Sequence, residues 1–281
     1  MGNRQGIQLA YPYSERRVKT WFKNPNVNLT IVQPKLNGER LKWNGSMLWT
    51  SEANECVAVP HIVDQLIKYF PNKPLDGEAY VHGWTKNQIS SVMRRTVNLH
   101  PDYAKMQFHV FDVPTQDKTQ LARTSELLQD TTFKQTESII QVPTHIARTH
   151  AQIEAFVIDK VHEGYEGCIV RHPFSYYTER RVNTMLKWKP GGEDDYKLIA
   201  MIEGQGQYEG TLGSMKVMGS NGQTFNVGSF ETDKGMNMET RKELWAQKDI
   251  LEGKAWVRVR YTELTERGVP PSGVYKFIVR K

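Results

Sequence analysis

Lys35 stands in Gln33-Pro34-Lys35-Leu36-Asn37-Gly38-Glu39-Arg40, directly after the apolar run 29–32, so a strand would deliver its side chain into a glycine-containing turn. A lysine is nucleophilic only as the free amine, which requires burial or neighbouring cations to disfavour the ammonium. Taken alone, the placement is that of an ordinary surface lysine. Four further stretches change its weight. Asp76-Gly77-Glu78 sets two carboxylates two residues apart, on one face of a strand, around a glycine that permits close approach. Phe108-His109-Val110-Phe111-Asp112 reads as a short aromatic strand, and Glu166-Gly167-Cys168-Ile169-Val170-Arg171 opens another strand with a carboxylate. Met185-Leu186-Lys187-Trp188-Lys189-Pro190 ends a strand with Lys187 and Lys189 at period 2 on one face. Separately these are a helix-start acid, a core aromatic and edge lysines. Together they supply a nucleophile, carboxylates for a divalent cation, an aromatic platform and a pair of cations for phosphates.

The elements that must position these groups follow from periodicity. Strand-like runs at 30–34, 40–43, 107–113, 167–171 and 184–189 alternate with helical patterns. In 61–70, Val63, Leu66, Ile67 and Phe70 fall at i, i+3, i+4 and i+7, predicting one buried helix face. Capping-box spacing starts two more helices, at Thr85 with Gln88 and at Thr149 with Gln152. Residues 190–195, Pro-Gly-Gly-Glu-Asp-Asp, form a turn-rich acidic seam, which places a mixed α/β domain at 1–190 and a second domain at 191–281. Beyond the seam come strands at 197–203, 212–218 and 223–228, a helix near 239–248, and strands at 255–262 and 273–280. That order predicts a five-stranded OB barrel. In its fourth strand Val257, Val259 and Tyr261 share one face and Trp256, Arg258 and Arg260 the other, so one face packs while the other could meet phosphate.

With 281 residues, 38% of them hydrophobic, the chain can bury a substantial core and has no apolar run long enough to span a membrane. Its first twenty residues lack the apolar stretch of a signal peptide. Cys56 and Cys168 alone make neither a disulfide framework nor a zinc site, which fits packing residues in a reducing cytoplasm. The net charge of +6 lies wholly in the first domain: residues 1–190 hold 24 basic and 18 acidic side chains, and 191–281 hold 13 of each. A polyanionic partner fits this surplus, as it fits many ordinary enzymes.

The ordered set Lys35–Arg40, Leu75–Glu78, Phe108–Asp112, Glu166–Arg171 and Leu186–Pro190 resembles nucleotidyltransferase motifs I, III, IIIa, IV and V of ATP-dependent DNA ligases. The likeness runs over nearly the whole chain, because Val259–Pro270 resembles the closing part of a ligase OB domain. The resemblance implies an α+β protein: a nucleotidyltransferase (adenylation) domain followed by a C-terminal OB-fold β-barrel, the minimal two-domain form. Lys35 would attack the α-phosphate of ATP, release pyrophosphate and hold AMP. Arg40 and Glu78 would contact the ribose side, Phe111 would stack on adenine, and Gln33 would reach the adenine amino group. Glu166, with Glu78, would hold Mg²⁺ (or Mn²⁺), and Lys187 and Lys189 would neutralise the phosphates. AMP would then pass to a DNA 5′-phosphate, and an adjacent 3′-hydroxyl would displace it to seal a nick, as in replication, repair and recombination.

Three departures from the family pattern stand out. Asn37 occupies a position where ligases usually carry Asp. Ser51 is followed by Glu52 where Ser-Arg is common, and the C-terminal Tyr275–Lys281 is degenerate, leaving Lys276, Arg280 and Lys281 as candidates for its pyrophosphate-facing role. These departures keep a non-catalytic nucleic-acid binder in view, and shared chemistry keeps a GTP-dependent mRNA-capping guanylyltransferase and an RNA ligase. With some thirty residues before Lys35, no added helical DNA-binding domain is expected. Nicked duplex DNA would be gripped by basic side chains of the two domains, Arg94, Arg95, Arg258 and Arg260 foremost, with Arg16, Arg17, Lys19, Arg180 and Arg181 as further candidates. A monomer in a bacterial or phage-infected cytoplasm is the corresponding expectation.

Overall fold

The structure, a computed structural model, describes residues 6–230, 238–261, 269–270 and 273–280. The chain divides into two compact units, Met1–Trp188 and Lys189–Lys281. Among the described residues the first unit runs β1 (Leu9–Pro12), α1 (Glu15–Lys23), β2 (Thr30–Pro34), β3 (Glu39–Trp43), β4 (Leu48–Thr50), α2 (Pro60–Tyr69), β5 (Leu75–Tyr80) and α3 (Lys86–Met93). It continues with β6 (Gln107–Asp112), α4 (Gln120–Gln129), β7 (Ile139–Gln141), β8 (His145–Ala147), α5 (His150–His162), β9 (Cys168–Arg171) and β10 (Arg181–Trp188). Its strands form two five-stranded sheets, ordered β1-β10-β9-β2-β8 and β4-β3-β5-β6-β7. Consecutive strands β2 and β3 therefore lie in different sheets, and the turn 35–38 between them crosses from one to the other.

Each sheet buries one face under helices. Ile153 and Val157 of α5 and Val18 and Trp21 of α1 cover Val32, Val170 and Leu186 of the first sheet. Leu41, Leu75, Phe108 and Ile139 of the second pack with α2, α3 and Leu127 of α4. The capping signals mark the helix starts. Thr85 and Gln88 complete a reciprocal box at α3, whereas at α5 Thr149 accepts from Gln152 N but the Gln152 side chain turns back to the amide of Arg148, 2.6 Å away. On α2 the buried face is Ile62, Leu66 and, just past its end, Phe70; Ile67 is exposed. The expected stripe is thus rotated, because Ile62 rather than Ile67 shares the side of Leu66 that meets the sheet.

The second unit runs β11 (Gly192–Glu203), β12 (Leu212–Met218), β13 (Thr224–Val227), β14 (Ser229–Phe230), α6 (Met238–Ala246), α7 (Lys248–Leu251), β15 (Trp256–Tyr261) and β16 (Gly273–Arg280). Its sheet order is β13-β12-β11-β15-β16-β14, an OB-like arrangement with the helices between the third long strand and the fourth. Among the described residues it has six strands, one more than expected, the addition being the two-residue β14. The acidic seam is not a linker. Gly192–Asp195 pair with Arg258–Tyr261 of β15, and cross-strand partners compensate the charges: Arg258 binds Asp195, Tyr261 Oη donates to Asp194, and Lys276 lies 3.9 Å from Glu193. The Tyr261 side chain lies directly over Gly192, where an added Cβ would stand 2.5–3.0 Å from its Oη, Cζ and Cε2 and push it aside.

Candidate active site

Lys35 directly follows β2, and its backbone continues the β2–β9 ladder: Lys35 N donates to Gly167 O at 2.9 Å and Glu166 N to Lys35 O at 3.1 Å. This pairing sets the two side chains together. Lys35 Nζ donates to Glu166 Oε2, with both side chains only partly exposed. Behind the turn, Gly38 is pressed onto β5 so closely that a Cβ would lie 2.1 Å from Ala79 O and 2.7 Å from Glu78 Cγ. Glu78 is thereby held beside the nucleophile candidate. Burial pushes its carboxyl above the ordinary value, opposed by the charges of Arg40, Lys35 and Lys86. From α3, Lys86 donates to Gly38 O and sits 2.9 Å from Glu39, which also accepts from Ser90 at 2.6 Å. The turn that carries Lys35 is therefore pinned from both sides.

Arg40, opposite Glu78 in the β3–β5 ladder, forms a two-pronged pair with Asp76, 2.6 Å for each bond, and Tyr177 Oη donates to the same carboxylate at 2.7 Å. The Arg40 guanidinium lies 4.4 Å from the centre of the Phe111 ring, and that of Arg171 lies 5.4 Å from it. Behind Phe111 a buried network ties the two sheets together. Asp112 accepts from Arg123 and Arg171, while Gln120 accepts from the same two arginines. Gln33 accepts from Arg171 Nε at 2.9 Å and donates to Phe111 O and Thr144 Oγ1, both at 3.0 Å. Gln33 is 1% exposed, with both ends of its amide on protein partners, so its side chain ties Arg171 to the Phe111 backbone. Arg171 lay inside a recognised stretch without a role; Gln120, Arg123 and Tyr177 had no periodic or spacing signal, because only the fold brings them together.

Other candidates divide between site and surface. Lys187 is paired across β9 with Ile169, three residues from Glu166, and Lys189 follows the end of β10. Arg94 caps the C-terminus of α3, and both it and Arg95 are exposed. Arg260 is exposed, whereas Arg258 is engaged with Asp195 within its own unit. Arg17 and Arg181 lie 5.6 and 5.8 Å from the Tyr11 ring centre, and Lys19 pairs with Glu15. Asn37 is exposed at the tip of the turn, and Ser51 and Glu52 form the turn after β4. Residues 262–268, 271–272 and Lys281 and the side chain of Arg280 lie outside the described residues. Both cysteines are free and buried; burial pushes the Cys56 thiol up to about 11 and that of Cys168 higher still, as suits inert packing groups.

The family model of the ATP dependent DNA ligase domain matches residues 8–189, and that of the DNA ligase OB-like domain matches residues 203–278. The chain belongs to the ATP-dependent DNA ligase family. The ligase is 27% identical over 244 residues to a DNA ligase of Haemophilus influenzae, covering 84% of this chain and 80% of that one. Its fold matches that of a chain from a structure-function study of Lig E DNA ligases, with TM-score 0.71, 22% identity, and coverage of 97% of this chain and 98% of the other. It also matches a Chlorella virus DNA ligase-adenylate, with TM-score 0.56, 20% identity and 99% of each chain covered. The ligase thus joins an adenylation domain to an OB-like domain, and the family models favour DNA ligation over capping. Among the described residues no helix is long and apolar enough to cross a membrane.

Proposed function

We propose that this ligase seals 5′-phosphate/3′-hydroxyl nicks in duplex DNA with ATP as substrate, through a covalent AMP on Lys35. The observation that carries the reading is the ladder-enforced meeting of Lys35 and Glu166, with Glu78 behind the same turn. The Glu166 carboxylate orients Nζ; once the ammonium has lost a proton to solvent, the amine attacks the α-phosphorus, and its second proton leaves to solvent as the phosphoramidate forms. The N–P bond forms as the α–β anhydride bond breaks, and pyrophosphate leaves with the electron pair. Transfer of AMP to a 5′-phosphate and its displacement by a 3′-hydroxyl follow the same logic of positioning and charge neutralisation. Arg40 would meet the ribose side, Phe111 the base, and Lys187 and Lys189 the phosphates.

The donor set fits Mg²⁺. Among the described residues no group of three or more His, Cys, Asp or Glu side chains forms a protein-only metal cage, and Mg²⁺ is ordinarily held by one or two carboxylates plus substrate phosphates. Glu166 and Glu78 would provide those carboxylates. What the cation supplies there is neutralisation of phosphate charge. Domains at 1–190 and 191–281, a monomeric state and a cytoplasmic site of action complete the proposal. Incubating the protein with α-labelled ATP or GTP and Mg²⁺, then running a denaturing gel, tests it: label retained from ATP alone is expected, and label from GTP alone or from neither overturns it.

A further inference from the structure

The segment that carries Glu166 is bordered by two glycines at positive φ, Gly164 at 92° and Gly167 at 141°. Glycine lowers the barrier to such backbone geometry and leaves it conformationally free, so contacts beyond the local chain must hold this segment. The ladder to Lys35 supplies one set, and the side chain of Tyr165 makes another. It packs on Tyr80 with ring centres 6.4 Å apart and planes at 27°, and on His82 with centres 4.8 Å apart. Tyr80 Oη and His82 Nδ1 are hydrogen-bonded at 3.0 Å, and Tyr80 meets His109 edge-on at 5.3 Å. Tyr80 is two residues from Glu78 on the same strand face, and His109 is paired directly with Glu78 across β5 and β6. The rings thus join the carrier of Glu166 to the strand of Glu78.

We propose that this aromatic clasp, Tyr165 against Tyr80 and His82, sets the spacing of the Glu166 and Glu78 carboxylates and holds Glu166 against Lys35. Tyr165 is a positioning residue: it acts through Glu166 and touches no reacting atom. The inference rests on the proposed roles of Lys35, Glu166 and Glu78. Partners that orient a metal-binding carboxylate typically contribute tenfold or more to metal affinity or activity. Replacing Tyr165→Ala should therefore weaken binding of Mn²⁺ in the presence of a non-reactive α,β-methylene analogue of ATP, measured by the loss of the free-ion spin-resonance signal, by about tenfold. It should raise the Mg²⁺ concentration for half-maximal self-adenylylation by a similar factor while leaving the KM for ATP at saturating Mg²⁺ within about twofold. Tyr165→Phe, which keeps the ring, should restore both. A merely structural role would lower the melting temperature without moving either metal curve.

Wild-type labelling is the control that separates this idea from the proposed function. If wild type takes no label from ATP, the nucleotidyl-transfer reading itself fails. If wild type labels normally and folded Tyr165→Ala shows unchanged Mn²⁺ binding and Mg²⁺ dependence, the clasp is overturned. The same holds if Tyr165→Phe is as impaired as Tyr165→Ala, since the ring would then not be the operative part. Tyr165→Leu, which keeps the apolar packing volume, supplies a folded comparison should the alanine variant be unstable.

Discussion

At the scale of single residues, Lys35 and Gln33 sit two positions apart with opposite fates. Lys35→Ala should abolish self-adenylylation and sealing of ordinary nicks, yet still seal a nick that already carries 5′-AMP, because only the earlier steps use the amine. ATP labelling of this variant would remove Lys35 from its role. Gln33→Leu should instead lower stability by about 1–3 kcal/mol, since it leaves Arg171 and the Phe111 carbonyl short of partners in a buried network. Discrimination between ATP and GTP should be unchanged. Denaturant titration and paired nucleotide labelling measure the two effects, and altered nucleotide choice at unchanged stability would place Gln33 at the base.

At the scale of elements, the decisive feature is the turn between β2 and β3, which is squeezed between β5 and α3. Gly38 has no room for a side chain: its nearest neighbours are a backbone carbonyl and the Cγ of Glu78. Gly38→Ala should displace the turn or β5, costing about 1–3 kcal/mol by overpacking. It should also depress self-adenylylation, because Lys35 and Glu78 move with the two sides of the contact. Measured stability and labelling rate both equal to wild type would show that the turn has slack. The Lys86 and Ser90 contacts to this turn explain why α3 is capped so completely. A frayed first turn would release Lys86 from Gly38 and Glu39.

At the scale of the whole molecule, charge and burial each lead to a measurable dependence. The basic surplus lies before residue 191, and Arg258 is already neutralised by Asp195. Nick binding should weaken steeply with salt, and the slope of log affinity against log salt should flatten by close to one unit per phosphate contact removed. Arg94→Ala/Arg95→Ala should flatten it more than Arg258→Ala/Arg260→Ala; equal slopes in both and in wild type would move the DNA surface elsewhere. On acidification, two histidines matter. Burial lowers His172 below its ordinary value and holds His109 down to about 4. The unfolded chain binds protons at these positions more readily than the native one, so stability present above about 6.5 is lost as pH falls toward 4. Melting temperature should drop over that range, and His172→Gln should drop less; parallel curves would show that His172 does not contribute.

Five short stretches in a fixed order were enough to indicate the chemistry, because a nucleophilic lysine, spaced carboxylates and paired lysines are identities and spacings that a linear chain displays. The longer strands β2, β3, β6, β9 and β10 were legible for the same reason, since apolar runs and turn residues are local, whereas the short β1, β4, β7 and β8 gave no such signal. The α2 face was not legible: Val63, Leu66, Ile67 and Phe70 form one helix-spaced apolar set and Ile62, Leu66 and Phe70 another, and only the sheet the helix meets selects the second. Nor could the acidic run 193–195 be recognised as strand before Arg258, Tyr261 and Lys276 were brought alongside to offset its charge. The commitment of Gln33 to Arg171 and the meeting of Tyr165 with Tyr80 and His82 likewise join residues distant in sequence. Residue type and spacing determined which groups could react; the pairing of the two sheets decided which of them are free to do so and which are consumed in holding the others in place.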